Sequence, residues 1–470
     1  MKNNITPIVN NIRKVAFTLL SLLVILFIYL SYLQVIQSGF LASHPMNRRN
    51  SESSHLVQYG MIVDKNGEKL AYSEKEENGF ARKYPYGAIT AHLVGYDSPT
   101  YGKTGIESTF NSYLTGMNNE LNHLGPIHRL WPRESGDTIT LTLDSKLQEA
   151  AYKALGEHRG AIVAMNPRTG AILAMVSKPS FNPSTLEKKW ENISTNENSP
   201  LLNRAVQGLY PPGSIIKVMI ADAALSEKVT DLKKTINCEG TLKVPPDYVL
   251  GESGLKAHGK IDLEEALAVS CNVTFGTLAL ELGGRKMAKT FERFGFEDAL
   301  RGELQEVPSQ LPNFSSLGNG DLAQAGIGQG SLLVTPLRMA MLASAFANQG
   351  IMMKPYLVQK ITDVAGNPIK EFSAEEWRVV TSPKLADAIS NMMVSVVNNG
   401  TGSAAYSSQV AIAGKTGTAE NPHGDSHAWF IGFAPADNPE IAIAVIIENA
   451  GSGGSIAAPI ARGILLKALH

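Results

Sequence analysis

The sequence predicts an α+β fold, in which one antiparallel sheet packs against a helix-rich segment. Strand-like apolar runs cluster in two places, after residue 160 and near the C-terminus: 161–165, 171–176, 410–413, 428–433 and 441–447. The chain between these clusters, from 212 to about 399, is rich in helical patterns, and a last helix is expected over 455–469. Strands from both clusters would share one sheet, with the helices packed on it.

Composition limits the classes of protein that fit. The chain has 470 residues, enough for two or three domains and a sizeable core. Its net charge of −1 gives no electrostatic reason to expect a nucleic-acid partner. The two cysteines, Cys238 and Cys271, suggest neither a disulfide framework nor a metal cluster, and the ten histidines contain no His-Glu-x-x-His pattern. We therefore expect no metal ion and no cofactor, while the pairing of the two cysteines stays open.

The first element is an apolar segment over 15–36. No charged residue occurs from Val15 to Phe40, and about 20 helical residues cross the ~30 Å hydrocarbon core. A cleaved signal peptide has an apolar run of only ~7–15 residues and a small-x-small cleavage site, neither of which fits this segment. We expect an uncleaved transmembrane anchor, preceded by a short tail over 1–14.

The second element, over 41–140, is polar and rich in turns. Asn66-Gly67 predicts a tight turn between two strands within this segment. We expect a small β-rich domain that holds the rest of the chain away from the membrane and offers a surface to partners. The remaining residues, 141–470, would form the α+β domain.

The α+β segment contains a serine and a lysine three positions apart, Ser214 and Lys217, directly after Pro212-Gly213. Proline suits the turn that enters a helix, and the apolar run 218–225 would carry both residues into the core. Residues three apart on a helix share one face, so the lysine amine can remove the hydroxyl proton and activate the serine as a nucleophile.

A single Ser-x-x-Lys match is weak evidence, because Ser253 and Lys256 have the same spacing in a glycine-rich stretch that does not suggest a helix. An ordered set of three motifs is stronger evidence. It consists of Ser214 with Lys217, Ser270 with Asn272, and Lys415-Thr416-Gly417-Thr418. Further matches to the second and third motifs begin at Ser180, Ser194 and Lys103, all before Ser214 and in the wrong order.

This ordered set resembles the signature of serine acyl-enzymes that act on D-Ala-D-Ala peptides and on β-lactams. From about 45 to 470 the chain resembles a class B penicillin-binding protein, a peptidoglycan D,D-transpeptidase. Other segments similar to the family are 160–175, 203–205 and 400–402. One departure is Tyr59-Gly60, where the family usually has Arg-Gly. The resemblance implies a penicillin-binding, serine β-lactamase-like fold for 141–470, after a small pedestal or dimerisation-like domain over 41–140.

The resemblance also implies catalytic roles. Ser214 would attack the penultimate D-Ala carbonyl, with Lys217 as the general base. A lysine is a base only when it is neutral, a state that burial and the cation of Lys415 would favour. Ser270 would relay a proton to the departing D-Ala amine, and Asn272 would orient Lys217 and the substrate amide.

The third motif is implied to bind substrate. Lys415, Thr416 and Thr418 suit the terminal carboxylate, as a cation and as hydroxyl donors. Backbone N–H groups of Ser214 and Thr418 would form the oxyanion hole, and Gly417 would permit close approach.

A Ser-His-Asp triad is an alternative, since His423, Asp425 and His427 follow the third motif. Because Lys217 is already in reach of the serine, we favour a loop at the rim of the cleft for these residues.

Several other functions share the fold. A class A β-lactamase needs a deacylating glutamate, and no Glu-x-x-x-Asn match occurs in the right interval. Class D enzymes and β-lactam sensors usually have Ser-x-Val where Asn272 stands. A bifunctional class A enzyme needs a glycosyltransferase domain, for which 41–140 is too short. A D,D-carboxypeptidase uses the same residues with water as acceptor and stays open; the intact motifs argue against a catalytically inert structural subunit.

The resemblance further implies partners and a location. The substrates would be nascent, lipid-linked stem peptides, and β-lactams would acylate the same serine. A polytopic SEDS-type glycan polymerase is the implied membrane partner. The chain would be a single-pass protein of the plasma (inner) membrane. Since stem peptides are crosslinked outside the membrane, its N-terminus would lie inside and its catalytic domain would be extracytoplasmic. The elongation, division or sporulation role, the stem-peptide diamino acid, β-lactam affinity and oligomeric state stay open.

Overall fold

A computed structural model describes residues 5–37, 57–77, 79–117, 135–422 and 424–470. His423 and parts of the predicted tail and second domain (1–4, 38–56, Asn78 and 118–134) lie outside these residues. In the described residues the α-helices are α1 (Ile5–Val35), α2 (Ala91–Val94), α3 (Gly105–Thr109), α4 (Asn111–Leu114), α5 (Ser145–Ala154), α6 (Leu186–Ser194), α7 (Arg204–Gln207), α8 (Lys217–Ser226), α9 (Leu263–Ala268), α10 (Asn272–Arg293), α11 (Asn319–Gly326), α12 (Pro336–Ala347), α13 (Pro383–Asn399) and α14 (Ala457–Ala468).

The strands of the described residues form two larger sheets and several short pairs. They are β1 (Ile62–Val63), β2 (Lys69–Glu76), β3 (Gly79–Lys83), β4 (Asp97–Ser98), β5 (Gly102–Lys103), β6 (Thr138–Leu141), β7 (Gly160–Met165), β8 (Ile172–Lys178), β9 (Ile236–Cys238), β10 (Thr241–Val244), β11 (Tyr248–Gly251), β12 (Gly259–Ile261), β13 (Ile351–Met353), β14 (Val358–Thr362), β15 (Pro368–Glu371), β16 (Glu376–Val379), β17 (Ala413–Ala419), β18 (His427–Ala434) and β19 (Ile441–Ile447).

Helix α1 is long and apolar. Its segment from Val9 to Gln34 has 26 residues and contains an 18-residue stretch with a mean hydropathy of 2.4. Among the described residues it is the one helix long and apolar enough to cross a membrane. The predicted anchor over 15–36 therefore falls on a helix, which begins earlier than expected, at Ile5.

A six-stranded mixed sheet follows the anchor, in the order β15-β14-β6-β1-β2-β3. The predicted turn is present between β1 and β2, which pair antiparallel. Gly67 in this turn has a φ of 86°, a conformation that glycine adopts without strain. The carboxylate of Asp64 accepts hydrogen bonds from the N–H groups of Asn66 and Glu68 and stabilises the turn.

This first sheet joins distant parts of the chain. Strand β6 lies across the predicted boundary at residue 140, while β14 and β15 come from within the predicted α+β segment. Strand β14 pairs antiparallel with β6, and its Val358 and Ile361 are fully buried. Hydrogen bonding thus continues across residue 140, and the two predicted domains share one sheet.

The second sheet has five antiparallel strands, in the order β17-β18-β19-β7-β8, so both predicted clusters of strands contribute to it. The prediction of a strand over 410–413 is wrong, because β17 begins at Ala413 and ends at Ala419. Its sequence, Ala-Gly-Lys-Thr-Gly-Thr-Ala, contains no apolar run. Antiparallel pairing with β18, from Ala413 opposite Phe433 to Ala419 opposite His427, holds it in the sheet.

Helices cover both faces of the second sheet. The buried helix α12 packs on one face, and α14 packs on the other together with α5. Alternate residues of β19 enter the two cores, Ala442 and Ala444 on the α12 side and Ile443 and Val445 on the α14 side. The remaining helices of the middle segment, with the short pairs β9–β12, β10–β11 and β13–β16, complete the domain. The predicted α+β class is confirmed.

Candidate active site

Ser214 lies in a tight turn at the edge of the second sheet. A single turn of 3-10 helix, Gly213–Ile216, leads directly into α8. Gly213 has a φ of 57°, and a Cβ atom there would approach the carbonyl oxygen of Thr418 to 2.9 Å. Behind the serine, Ile215 and Ile216 are fully buried, and the indole of Trp429 donates a hydrogen bond of 3.0 Å to the carbonyl of Pro211. These contacts hold the half-buried Ser214 beside β17.

Lys217 begins α8 one turn after the serine, and its side chain is completely buried. Its Nζ donates to the carbonyl oxygen of Ser270 and to Oδ1 of Asn272, both at 2.7 Å, and lies 3.3 Å from Oγ of Ser270. The first and second predicted motifs are therefore in direct contact.

Ser270 and Asn272 flank the start of helix α10. Ser270 has a φ of 60°, the left-handed region that non-glycine residues seldom adopt outside sites that need it. Between the two, Cys271 is the N-cap of α10, and its sulfur accepts from the N–H of Thr274. The amide Nδ2 of Asn272 donates to the carbonyl of Gly251 at 2.9 Å, which leaves its Oδ1 facing Lys217.

Lys415 approaches the same serine from the sheet. It lies in β17, is fully buried, and its Nζ contacts Oγ of Ser270 at 2.9 Å and the carbonyl of Thr416 at 3.0 Å. The Ser270 hydroxyl thus lies between two buried amines. The Thr416 hydroxyl is 2.7 Å from that of Thr401, which belongs to the 400–402 segment.

The side-chain amines of Lys217 and Lys415 both have lowered pKa values. Burial lowers the pKa of Lys217 to about 8, against the opposing charges of Glu252 and Cys271. Burial and then repulsion from Lys217 lower the pKa of Lys415 well below its ordinary value. The two ammonium charges therefore disfavour one another.

A cavity of about 860 Å³ opens in front of these groups. Among the predicted site residues, Ser214, Ser270, Asn272, Thr416 and Thr418 line it. Lys217 and Lys415 lie behind this surface, because both are fully buried. At Gly417 a Cβ atom would come within 3.0 Å of the carbonyl oxygen of Pro212, so glycine allows β17 to approach the serine turn. The structure therefore brings all eight predicted residues to one place.

The serine turn is supported by a second polar network. Glu448 accepts hydrogen bonds of 2.7 Å from Nε of Arg204 and from the hydroxyl of Tyr210, and it pairs with Arg159 at 3.0 Å. Tyr210 directly precedes Pro211, so the network positions the chain that enters the nucleophile turn. The segment 203–205, similar to the family in sequence, thereby has a structural role.

The histidine alternative is not supported by the contacts. His427 begins β18, its ring packs edge-on against Tyr210, and its Nδ1 accepts from the N–H of Asn449 at 3.1 Å. Asp425 is exposed. The position of His423 lies outside the described residues.

Several cavity residues were missed from the sequence. Thr401 was noted only as part of a family-like segment, and Gln324, Gln329 and Glu420 carried no motif. Outside local motifs, the fold also brings Cys238, Glu252, His258 and Cys271 together beside the cleft. The expectation of no metal site rested on local spacing, which cannot reveal a group assembled from separate segments.

Comparison with known proteins defines the class. Residues 160–466 match the family described as penicillin binding protein transpeptidase domain, and residues 59–125 match the penicillin binding protein A dimerisation domain. The chain therefore belongs to the penicillin-binding protein transpeptidase family, in the class B arrangement of a dimerisation-type domain followed by a transpeptidase domain.

Individual relatives agree with this assignment. The chain is 33% identical to the peptidoglycan D,D-transpeptidase PbpA of Mycolicibacterium smegmatis, over 98% of this chain and 99% of the relative. It is 33% identical to the peptidoglycan D,D-transpeptidase MrdA of Acinetobacter baumannii, over 81% of this chain and 65% of the relative. Among solved structures, the ceftriaxone acyl-enzyme complex of penicillin-binding protein A from Mycobacterium tuberculosis superposes with a TM-score of 0.83 at 31% identity, covering 89% of this chain and all of that one.

Proposed function

We propose that this chain is a membrane-anchored peptidoglycan D,D-transpeptidase that acts through an acyl-enzyme on Ser214 and is acylated by β-lactams. The observation that carries the proposal is the convergence of Lys217 and Lys415 on the Ser270 hydroxyl, beside a cavity that Ser214 lines. Relatives named as D,D-transpeptidases, and an acyl-enzyme of a protein 31% identical, support the same chemistry.

Lys217 acts as the base in acylation. A neutral amine has two N–H groups, which the carbonyl of Ser270 and Oδ1 of Asn272 can accept at 2.7 Å. Its lone pair is then left to take the proton of Ser214 as the serine oxygen attacks the penultimate D-Ala carbonyl. The C–N bond breaks, and the proton passes through the Ser270 hydroxyl to the departing D-Ala amine.

Lys415 binds the terminal carboxylate of the substrate, together with the hydroxyls of Thr416 and Thr418. In the free site burial, and then repulsion from Lys217, lower the pKa of Lys415 and so weaken its preference for the charged form. An anion beside it reverses that preference and makes the cation favourable. A charged Lys415 in turn disfavours a charged Lys217, so substrate binding itself promotes the neutral base.

The second half-reaction transfers the acyl group to another stem peptide. Its amine attacks the ester carbonyl, loses a proton toward Lys217, and the Ser214 oxygen leaves with a proton. The N–H groups of Ser214 and Thr418 stabilise the oxyanion in both half-reactions. With water as acceptor the same groups perform carboxypeptidase chemistry.

A reaction with a choice of acceptors tests the proposal. The full-length protein in detergent is given a D-Ala-D-Ala stem peptide and excess D-amino acid or amine acceptor, and products are separated by mass. We expect the exchanged or crosslinked peptide to exceed the hydrolysed one, and penicillin to abolish both. Hydrolysis alone would assign a carboxypeptidase, and neither product with no penicillin adduct would assign an inert subunit.

Helix α1 is the basis for the proposed membrane orientation and for the proposed membrane partner. With the N-terminus inside, the catalytic domain meets nascent strands outside the membrane, and a SEDS-type polymerase supplies them through contact with this helix and the domain after it. Replacing 15–36 by an unrelated anchor of equal length should preserve penicillin binding and impair growth complementation. Full complementation by the swapped anchor would show that the helix is a tether alone.

A further inference from the structure

The residue that follows strand β17, Glu420, lines the active-site cavity. Side chains of a strand alternate between its two faces, and Thr416, Thr418 and Glu420 are alternate residues that all line the cavity. Glu420 is exposed, and in the part of the chain that the structure describes no hydrogen-bond donor or cation pairs with its carboxylate. A negative charge without a partner therefore lies in the row of residues that is proposed to bind substrate.

The two ends of this row differ in charge. Lys415, which is proposed to bind the terminal carboxylate of the substrate, lies next to Thr416 at one end. At the other end, burial raises the pKa of Tyr248, and the charges of Glu420 and Asp321 add to this effect. Tyr248 also lines the cavity. The cavity thus offers an amine to an anionic group at one end and carboxylates to a cationic group at the other.

The distance between these ends suits a donor stem peptide. Thr416 and Glu420 are four residues apart, which corresponds to about 13 Å at the rise of a strand. An extended peptide spans about 7 Å from its terminal carboxylate to the residue before the two D-alanines. The side chain of that residue, a diamino acid in a stem peptide, adds about 6 Å for four carbons and an amine. Its ammonium would therefore reach Glu420 while the terminal carboxylate stays at Thr416.

We propose that Glu420 selects donor stem peptides by the free ammonium group on the side chain of the residue before the two D-alanines. The proposal rests on the proposed function, because it places the donor stem in this cavity. The pair would form at a partly exposed position, where an ion pair contributes modestly to binding and is weakened by salt.

This ammonium is the group that crosslinking removes. Once a stem peptide has served as an acceptor, its amine belongs to an amide bond and carries no charge. Glu420 then has no cation to pair with. The enzyme should therefore prefer donors whose own amine has not yet been crosslinked.

Two penicillins that differ by one acetyl group test the proposal. An ε-aminocaproyl side chain on the penicillin nucleus stands where the diamino acid stands in the stem peptide, and its N-acetyl derivative has the same shape without the charge. The full-length protein in detergent is treated with each, and the second-order rate constant of acylation is measured by intact mass. We expect the free amine to react about fivefold faster at low salt. The difference should vanish at about 1 M salt, where charges are screened within about 3 Å. Equal rate constants at low salt would overturn the proposal.

Variants assign the preference to one carboxylate. Glu420→Gln keeps the size of the side chain and should react equally with both penicillins, and Glu420→Lys should prefer the acetylated one. The matched control is Glu440→Gln, an exposed position before β19 at the opposite end of the sheet, which should keep the wild-type ratio. A preference that persists in Glu420→Gln would overturn the proposal. No adduct on Ser214 with either penicillin would instead contradict the proposed function.

Donor peptides extend the test to the crosslinking reaction. With a separate acceptor in excess, a stem peptide with a free side-chain amine should have a kcat/KM about fivefold above that of its N-acetyl derivative. The difference should lie mainly in KM, because Glu420 does not contact the reacting atoms. Equal kcat/KM values for the two peptides would contradict the selection of donors.

Discussion

Two Ser-x-x-Lys sequences lie beside the same cavity and have the same spacing, but they differ in burial, in contacts and in backbone conformation. Ser214 is followed by a fully buried Lys217 at the start of α8, which contacts Ser270 and Asn272. Ser253 and Lys256 also line the cavity, yet both are exposed, and the turn between them is interrupted by Gly254 with a φ of 66°. An amine becomes a base near neutral pH when it is removed from water, and only the first lysine meets that condition.

The largest expected effect separates the two serines. Ser214→Ala should remove acylation by penicillin, a loss on the order of 10⁶-fold for a missing nucleophile, while Ser253→Ala should keep its adduct. Intact mass followed by peptide mapping measures both. A labelled Ser214→Ala together with an unlabelled Ser253→Ala would reverse the assignment.

The two lysines give the next comparison. Lys217→Ala should slow acylation by about 10⁴-fold, the upper end for a general base, because no other described amine lies at that position. Lys256→Ala, which removes an exposed amine from the same cavity, should acylate like wild type. Stopped-flow acylation with a chromogenic β-lactam measures the rates, and equal losses would contradict the distinction drawn from burial.

Substitution of Lys415 tests whether this second buried amine has a role different from that of Lys217. Lys415→Ala should reduce acylation by about 10²-fold and leave measurable activity, since it removes a carboxylate partner rather than the base. The loss should appear mainly in the concentration dependence of acylation. A loss of about 10⁴-fold, equal to that expected for Lys217→Ala, would show that the two roles are divided wrongly.

The pH dependence should follow Lys217. Because the base works in its neutral form and its pKa is about 8, the rate of acylation at low β-lactam concentration should rise about tenfold per pH unit below 8 and level off above it. Lys256→Ala should give the same profile. A flat profile between pH 6 and 8 would mean that Lys217 is already neutral there.

The smallest effect concerns the glycines of the two sequences. Gly213→Ala and Gly254→Ala both place a side chain at positive φ, which costs roughly 1–2 kcal/mol. In Gly213→Ala the new Cβ atom would also lie 2.9 Å from the carbonyl oxygen of Thr418 and 3.1 Å from the Cβ atom of Ala419. A Cβ atom at Gly254 would have no neighbour within 4 Å. We expect Gly213→Ala to lose about 1–2 kcal/mol more in thermal or denaturant unfolding. Equal losses would contradict the close packing of the serine turn against β17.

Local patterns predicted a large part of the site and the second sheet. The strand 441–447 coincides with β19 because its apolar run is continuous, as expected for a strand buried on both faces. The strand 410–413 was misplaced because β17 owes its position to pairing with β18 rather than to an apolar pattern.

Features that depend on tertiary proximity could not be read from the chain. Strands β14 and β15 carry no sign that they join the first sheet, since β6, the strand with which β14 pairs there, lies more than 200 positions earlier. Thr401 matters through its contact with Thr416, and Glu252 with His258 through their approach to the cysteines. Residues in motifs were found, and residues brought in by the fold were not.

The strand order has a consequence for how the chain folds. In the second sheet, β19 lies between β18 and β7, so the hairpin of β7 and β8 has an unpaired edge until residues near 447 are available. The first sheet likewise lacks β14 and β15 until residues near 371 arrive. Contacts this distant in sequence slow folding, and open strand edges promote aggregation in the meantime. The first sheet therefore gains its last strands only after about three quarters of the chain, and the second only near its C-terminal end.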